Sequence, residues 1–171
     1  MTSLRSRLAT DPRSKIKAID ELKTLVHEAQ AAGRVVVMAN GCFDLIHVGH
    51  VRYLEGARAL GNMLIVALNS DASISVLKGK GRPLQSEQER SEIVASFESV
   101  DYVTVFDAPT VDTLLANLRP DIHAKGTDYT SDNVPERETV RSYGGRVAIV
   151  GDAKDHSTRA LIDAILSKLH P

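Results

Sequence analysis

His47 and His50 stand three residues apart in the run Asn40-Gly41-Cys42-Phe43-Asp44-Leu45-Ile46-His47-Val48-Gly49-His50. Imidazoles at that spacing can donate N–H bonds to phosphate oxygens without bringing in a fixed full charge. Gly41 lets the backbone approach a ligand, and Gly49 lets a helix open against a phosphate with no Cβ in the way. A helix start adds unpaired N–H groups and the positive end of the helix dipole, so the run reads as a phosphate site. Two rival chemistries are weaker. A metal centre needs a third protein ligand beside His47 and His50, and the sequence points to none, so no protein-held metal is expected. A Cys42–His47 nucleophile pair would be crowded into one short loop, where Cys42 fits better as a small apolar residue in a tight turn.

A phosphate loop needs a strand before it and a helix after it, and the flanking residues supply both. Val35-Val36-Val37-Met38-Ala39 is a short β-branched run suited to a strand buried on both faces. A helix is expected from about Gly49 to Leu60, with Val51, Leu54 and Ala57 inward. Ahead of the strand, Ile16, Ile19, Leu22, Val26 and Ala29 recur every three or four residues, which predicts a helix from Lys15 ended by Gly33. Further strands are expected at Met63–Leu68, Tyr102–Phe106, Asp121–Lys125 and Arg146–Val150. A Gly/Lys-rich loop, Lys78-Gly79-Lys80-Gly81-Arg82-Pro83, leads to a helix opened by Ser86 with Glu89 as its capping-box partner. Helices are also expected around Val111–Leu118, near Pro135–Tyr143 and over about Ser157–Lys168. Five buried strands alternating with helices define an α/β class, a doubly wound, Rossmann-like five-stranded parallel sheet with helices on both faces. Ligands in such sheets bind beyond the carboxyl ends of the strands, where strand order reverses. The reversal is expected between the first strand and the fourth.

Composition agrees with a single domain over residues 15–171, after a lead-in over 1–14. With 43% hydrophobic and 25% charged residues, the chain has ordinary globular usage rather than that of a disordered one. A formal net charge of -1 lacks the basic excess of a nucleic-acid binder. One cysteine permits no intramolecular disulfide and suits a reducing compartment. The first residues carry no apolar signal region, and no run approaches the roughly 18 apolar residues of a membrane span. A soluble cytoplasmic domain with no nucleic-acid or membrane partner is expected.

His47-Val48-Gly49-His50 resembles the HxGH motif of the nucleotidyltransferase superfamily, and Gly41 through His50 resembles its cytidylyltransferase-like branch. The resemblance extends from about Lys15 to Leu169. It is strongest to the adenylyltransferase domain of bacterial ADP-heptose synthase, which also occurs as a stand-alone protein. It implies transfer of AMP from ATP, bound with Mg2+, to D-glycero-manno-heptose 1-phosphate, releasing pyrophosphate. It also implies roles for individual residues. His47, His50 and Lys78 would be catalytic. Asn40, Gly41, Cys42, Phe43, Gly49 and Arg90 would bind the nucleotide. So would Lys125-Gly126-Thr127-Asp128-Tyr129, which is similar to the family's KGxDY stretch, through Lys125, Gly126, Asp128 and Tyr129. Ser157 and Thr158, similar to the Ser/Thr pair at a helix start in the second superfamily motif, would hold the β- and γ-phosphates. Asp44, Asp71 and Arg159 would contact the acceptor.

Alternatives stay open at this point. Glycerol-3-phosphate cytidylyltransferases share the fold and HxGH, although the stretch Asp152–Thr158 lacks their Arg-Thr pair and has His156 where the heptose enzymes often have an aromatic. A non-catalytic nucleotide-binding regulator is a reading of another class. Relatives are often dimers, so a homodimer is an expectation to be tested.

Overall fold

The computed structural model describes residues 11–152 and 156–169. Residues 1–10 of the lead-in expected over 1–14, the stretch 153–155 and residues 170–171 lie outside the described residues. Five strands form the sheet: β1 (Val36–Gly41), β2 (Met63–Asn69), β3 (Tyr102–Phe106), β4 (Ile122–Gly126) and β5 (Arg146–Val150). All neighbouring strands pair in parallel, in the order β3-β2-β1-β4-β5. Every residue of β2 is buried, as two covered faces require.

The helices are α1 (Ile19–Ala31), α2 (Val48–Arg58), α3 (Asp71–Lys78), α4 (Glu87–Ala95), α5 (Asp112–Leu118), α6 (Arg137–Ser142) and α7 (Thr158–Leu169). Strand alternation divides the core in two. Val36 and Met38 of β1 join Leu22 and Val26 of α1, Leu114 and Leu115 of α5 and Val140 of α6 on one face. Val37 and Ala39 join Leu54 and Ala57 of α2 and Val94 of α4 on the other. Burying each such aliphatic side chain contributes about 1.5–3 kcal/mol, so the doubly wound fold rests on both layers. No helix among the described residues is long and apolar enough to cross a membrane.

Two boundaries differ from those expected. The first helix begins at Ile19, not Lys15. Ile16 instead bridges to Val103 at the sheet edge, and the Lys15 ammonium donates to Phe97 O and Val100 O. The helical spacing of Ile16 is thus coincidental with a strand-like contact. Lys78 ends a helix rather than opening a loop: Ser70 caps α3 by accepting from Ser73 N, and Gly79 follows at φ 88°. This helix leaves Val76 79% exposed and buries only Ser73 and Ile74. The capping box at Ser86 and Glu89 forms as expected, with Ser86 N donating to Glu89 Oε2 at 2.9 Å.

Strand order reverses between β1 and β4. The pairing Ala39↔Ala124 puts the next residues, Asn40 and Lys125, side by side at the carboxyl ends. Function must therefore be sought there.

Candidate active site

The loop leaving β1 is shaped by Phe43, which takes a left-handed φ of 49° and is 2% exposed. Such a backbone costs roughly 1–2 kcal/mol in a non-glycine residue, offset here by ring contacts. The Phe43 ring lies 5.1 Å from the His50 ring and 6.5 Å from Tyr53. Gly41 is required beside it, because a Cβ there would stand 3.0 Å from the Phe43 ring. Asp44, only 1% exposed, accepts from Leu84 N at 2.7 Å, Gln85 N at 3.1 Å and Arg82 Nε at 2.6 Å. The expected acceptor-binding role of Asp44 is therefore corrected. Although it borders the cleft, its carboxylate is consumed in pinning the 79–85 segment against the β1 loop. Arg82 is its ion-pair partner.

His47 caps the start of α2, and His50 sits in its first turn. The two rings stack with centroids 3.9 Å apart. The backbone N–H of His47 donates to His50 Nδ1 at 3.3 Å, which places the His50 ring proton on Nε2. Burial, reinforced by neighbouring His47, pushes the pKa of His50 down to about 4. Burial also lowers His47, with His156 adding to the effect. A neutral His50 with an Nε2–H donor is what a phosphate oxygen needs. Gly49 makes room for this pair, since a Cβ on it would meet the His47 ring at 3.0 Å.

These rings open into a cleft of about 1020 Å³ at the carboxyl end of the sheet. Its walls include Asn40, Gly41, Cys42, Phe43 and Gly49 from the β1 loop and Lys78 from the end of α3. Lys125, Gly126, Asp128 and Tyr129 follow β4, and Ser157, Thr158 and Arg159 come from the start of α7. Ser157 Oγ accepts from Ala160 N at 3.0 Å, and Thr158 Oγ1 donates to Leu45 O at 3.3 Å, tying α7 to the β1 loop. Burial raises the Cys42 thiol above its ordinary value despite nearby Lys78 and Arg90, so Cys42 is not poised as a thiolate.

Arg90 and Asp71 do not line the cleft, which corrects both expectations. Arg90 is fully buried and donates to Cys42 O at 2.6 Å, Asn69 O at 2.9 Å, Gln85 O at 3.1 Å and Asp71 Oδ1 at 2.7 Å. Four of its five N–H groups are spent on protein oxygens, and its burial keeps it away from a ligand in the cleft. It clamps the ends of β1 and β2 together, and Asp71 neutralises it.

Three cleft features escaped the sequence reading. The hydroxyl of Tyr53 donates to Ala124 O at 2.8 Å, fastening α2 to β4. Glu136, at the cap of α6, is 5% exposed with Oε2 3.4 Å from Lys125 Nζ. His123, fully buried behind them, lies 3.1 Å from Asn40 Oδ1 through Nε2, and Lys125 Nζ donates to the same oxygen at 3.2 Å. The one legible signal was spacing: His123 and Lys125 are two apart on a strand and so share a face.

A doubly wound parallel sheet, an imidazole pair at a helix start and a cleft over the strand reversal together define a nucleotidyltransferase. The cytidylyltransferase-like family model matches residues 38–165, and the chain belongs to that family. The chain is 48% identical over 159 residues to the bifunctional protein HldE of Pelobacter propionicus, covering 93% of this chain and 33% of that protein. It is 49% identical over 153 residues to HldE of Geobacter sulfurreducens, covering 90% of this chain and 31% of the relative. The chain thus spans about a third of the length of these relatives. Among solved structures, the lipopolysaccharide core biosynthesis protein from Thermoplasma volcanium GSS1 superposes with a TM-score of 0.62 at 26% identity. That match covers 71% of this chain and 100% of the other.

Proposed function

We propose that the chain transfers AMP from Mg-ATP to D-glycero-manno-heptose 1-phosphate, giving ADP-heptose and pyrophosphate. The observation that carries this reading is the neutral His47–His50 pair at the start of α2, facing the cleft over the strand reversal. Similarity to HldE over nearly the whole chain and to a lipopolysaccharide core biosynthesis protein favours a sugar phosphate as the acceptor.

The reaction is an in-line displacement. A phosphate oxygen of the acceptor, anionic at neutral pH, attacks the α-phosphorus of ATP. The bond to the bridging oxygen breaks, and pyrophosphate departs with both electrons of that bond. No general base is needed, so the protein contributes positioning and charge stabilisation. His50 Nε2–H and His47 donate to the α- and β-phosphate oxygens as charge builds. Lys78 and the Ser157/Thr158 end of α7 receive the leaving pyrophosphate. Among the described residues there is no cluster of three His, Cys, Asp or Glu able to cage a metal ion. Mg2+ would enter with the triphosphate as part of the substrate, held by its phosphates and water.

Pyrophosphate release with Mg-ATP or Mg-CTP against a panel of phosphorylated sugars and alcohols tests the reading. Turnover is expected with ATP and the heptose 1-phosphate. Preference for CTP with glycerol phosphate would replace the adenylyl reading by the cytidylyl one. Nucleotide binding without any turnover would make the chain a regulator.

A further inference from the structure

Beside the phosphate-binding histidines the cleft contains a buried acid that phosphate transfer does not use. Glu136 lines the cleft, is 5% exposed and pairs with Lys125 Nζ at 3.4 Å, and its Oε2 has no hydrogen-bond partner among the described residues. A buried carboxylate oxygen without a hydrogen bond is costly, typically about 1–3 kcal/mol, which points to a donor supplied by a ligand. Next to it, Asn40 Oδ1 takes both available donors. Lys125 Nζ can only donate, so the atom facing it is the oxygen. His123 Nε2 must then carry its ring proton in order to donate to the same atom. The Asn40 amide is thereby locked with its two N–H groups left for something else. Lys125 is held against Glu136, Asn40 and the face of Tyr129, whose ring centroid is 4.8 Å from Nζ. The group that fits must donate to a carboxylate, accept from an amide and carry no negative charge of its own, because Glu136 would repel a phosphate. A sugar hydroxyl does all three.

We infer that Glu136, with Asn40 and Lys125, forms a sugar-hydroxyl subsite that sets substrate specificity, and that His123 is its positioning residue. The inference rests on the proposed transfer to a sugar phosphate. The hydroxyl has two sources, the acceptor sugar and the ribose of the nucleotide, and the arms of the test separate them.

The test is Glu136→Gln, assayed for KM of the acceptor and, by calorimetry without acceptor, for ATP affinity. Each is repeated with deoxy forms of the acceptor and of the ribose. The expected result is an acceptor KM raised roughly 10- to 100-fold, ATP affinity within about twofold of the parent, and a loss that vanishes on the acceptor lacking the engaged hydroxyl. A loss confined to ATP and absent with deoxyribose nucleotides would move the subsite to the ribose. Unchanged constants, or equal losses on hydroxylated and deoxy substrates, would overturn the inference and leave Glu136 as a counter-charge to Lys125. Glu136→Asp keeps that charge and withdraws the oxygens by one methylene, so it answers the same question should the amide variant not fold. If the parent itself turns over no sugar phosphate, the proposed function fails instead, while the ATP arm still reports on Glu136.

Discussion

His50 titrates near pH 4 and His123 near pH 3 because burial disfavours their charged forms, assisted by His47 in one case and Lys125 in the other. Both rings are neutral at pH 7, and each has its proton placed by a hydrogen bond, His50 by the His47 backbone and His123 by Asn40. Removing a preorganised donor to developing phosphate charge typically costs about 10²–10³ in rate. His47→Ala and His50→Ala are expected to lose kcat on that scale with circular dichroism unchanged; near-normal turnover by both would contradict the assignment. The same burial makes a prediction about acid. The native values lie below the ordinary 6.5, so the unfolded chain takes up these protons first. Their contribution to stability is complete above about pH 6.5 and is lost as pH falls toward 4 for His50 and 3 for His123. His123→Gln keeps an N–H for Asn40 but cannot titrate. Urea denaturation between pH 7 and 4 should show a shallower decline for this variant than for the parent, and parallel declines would show that His123 does not drive it.

At the scale of elements, the site depends on how strand ends and helix starts are held in register. Arg90 spans the ends of β1 and β2 through Cys42 O and Asn69 O, 48 and 21 residues away in sequence. Arg90→Ala would leave those carbonyls and Asp71 without their donor. Asp71 is 39% exposed and can turn to solvent, so the cost comes from the buried carbonyls left unpaired, about 1–3 kcal/mol each, to be read as a lower urea midpoint. A change in nucleotide KM at undiminished stability would instead return Arg90 to the ligand-binding role the resemblance implies. Gly49 controls the helix start. Gly49→Ala puts a Cβ 3.0 Å from the His47 ring; on the proposed mechanism, displacing that ring by a few tenths of an ångström is expected to lower kcat about tenfold. Melting temperature should change little.

The same contrast explains what could be read from the chain alone. The Val36–Ala39 run and the glycine-histidine loop announce a strand, a turn and a helix start because each depends on neighbours within a few residues. Ser86 and Glu89 announce a helix for the same reason. Arg90, Asp44 and Glu136 could not be assigned so. A charge in sequence looks alike whether it meets solvent, substrate or a buried counter-charge, and these three meet partners brought by other elements. The α3 helix was hidden for another reason, since only Ser73 and Ile74 are buried in it.

Across the whole molecule, the order β3-β2-β1-β4-β5 brings residues from the ends of all five strands and from α3 and α7 to one rim. The other rim, where the strands begin, carries none of the paired histidines. Everything proposed about transfer follows from a triphosphate lying along the first rim, its α-phosphate against the start of α2. A crystal structure of the chain with Mg2+ and a non-hydrolysable ATP analogue tests this most directly. The account predicts an α- or β-phosphate oxygen within about 3 Å of His50 Nε2, with the terminal phosphates toward Ser157 and Thr158. A triphosphate bound away from both imidazoles would contradict it.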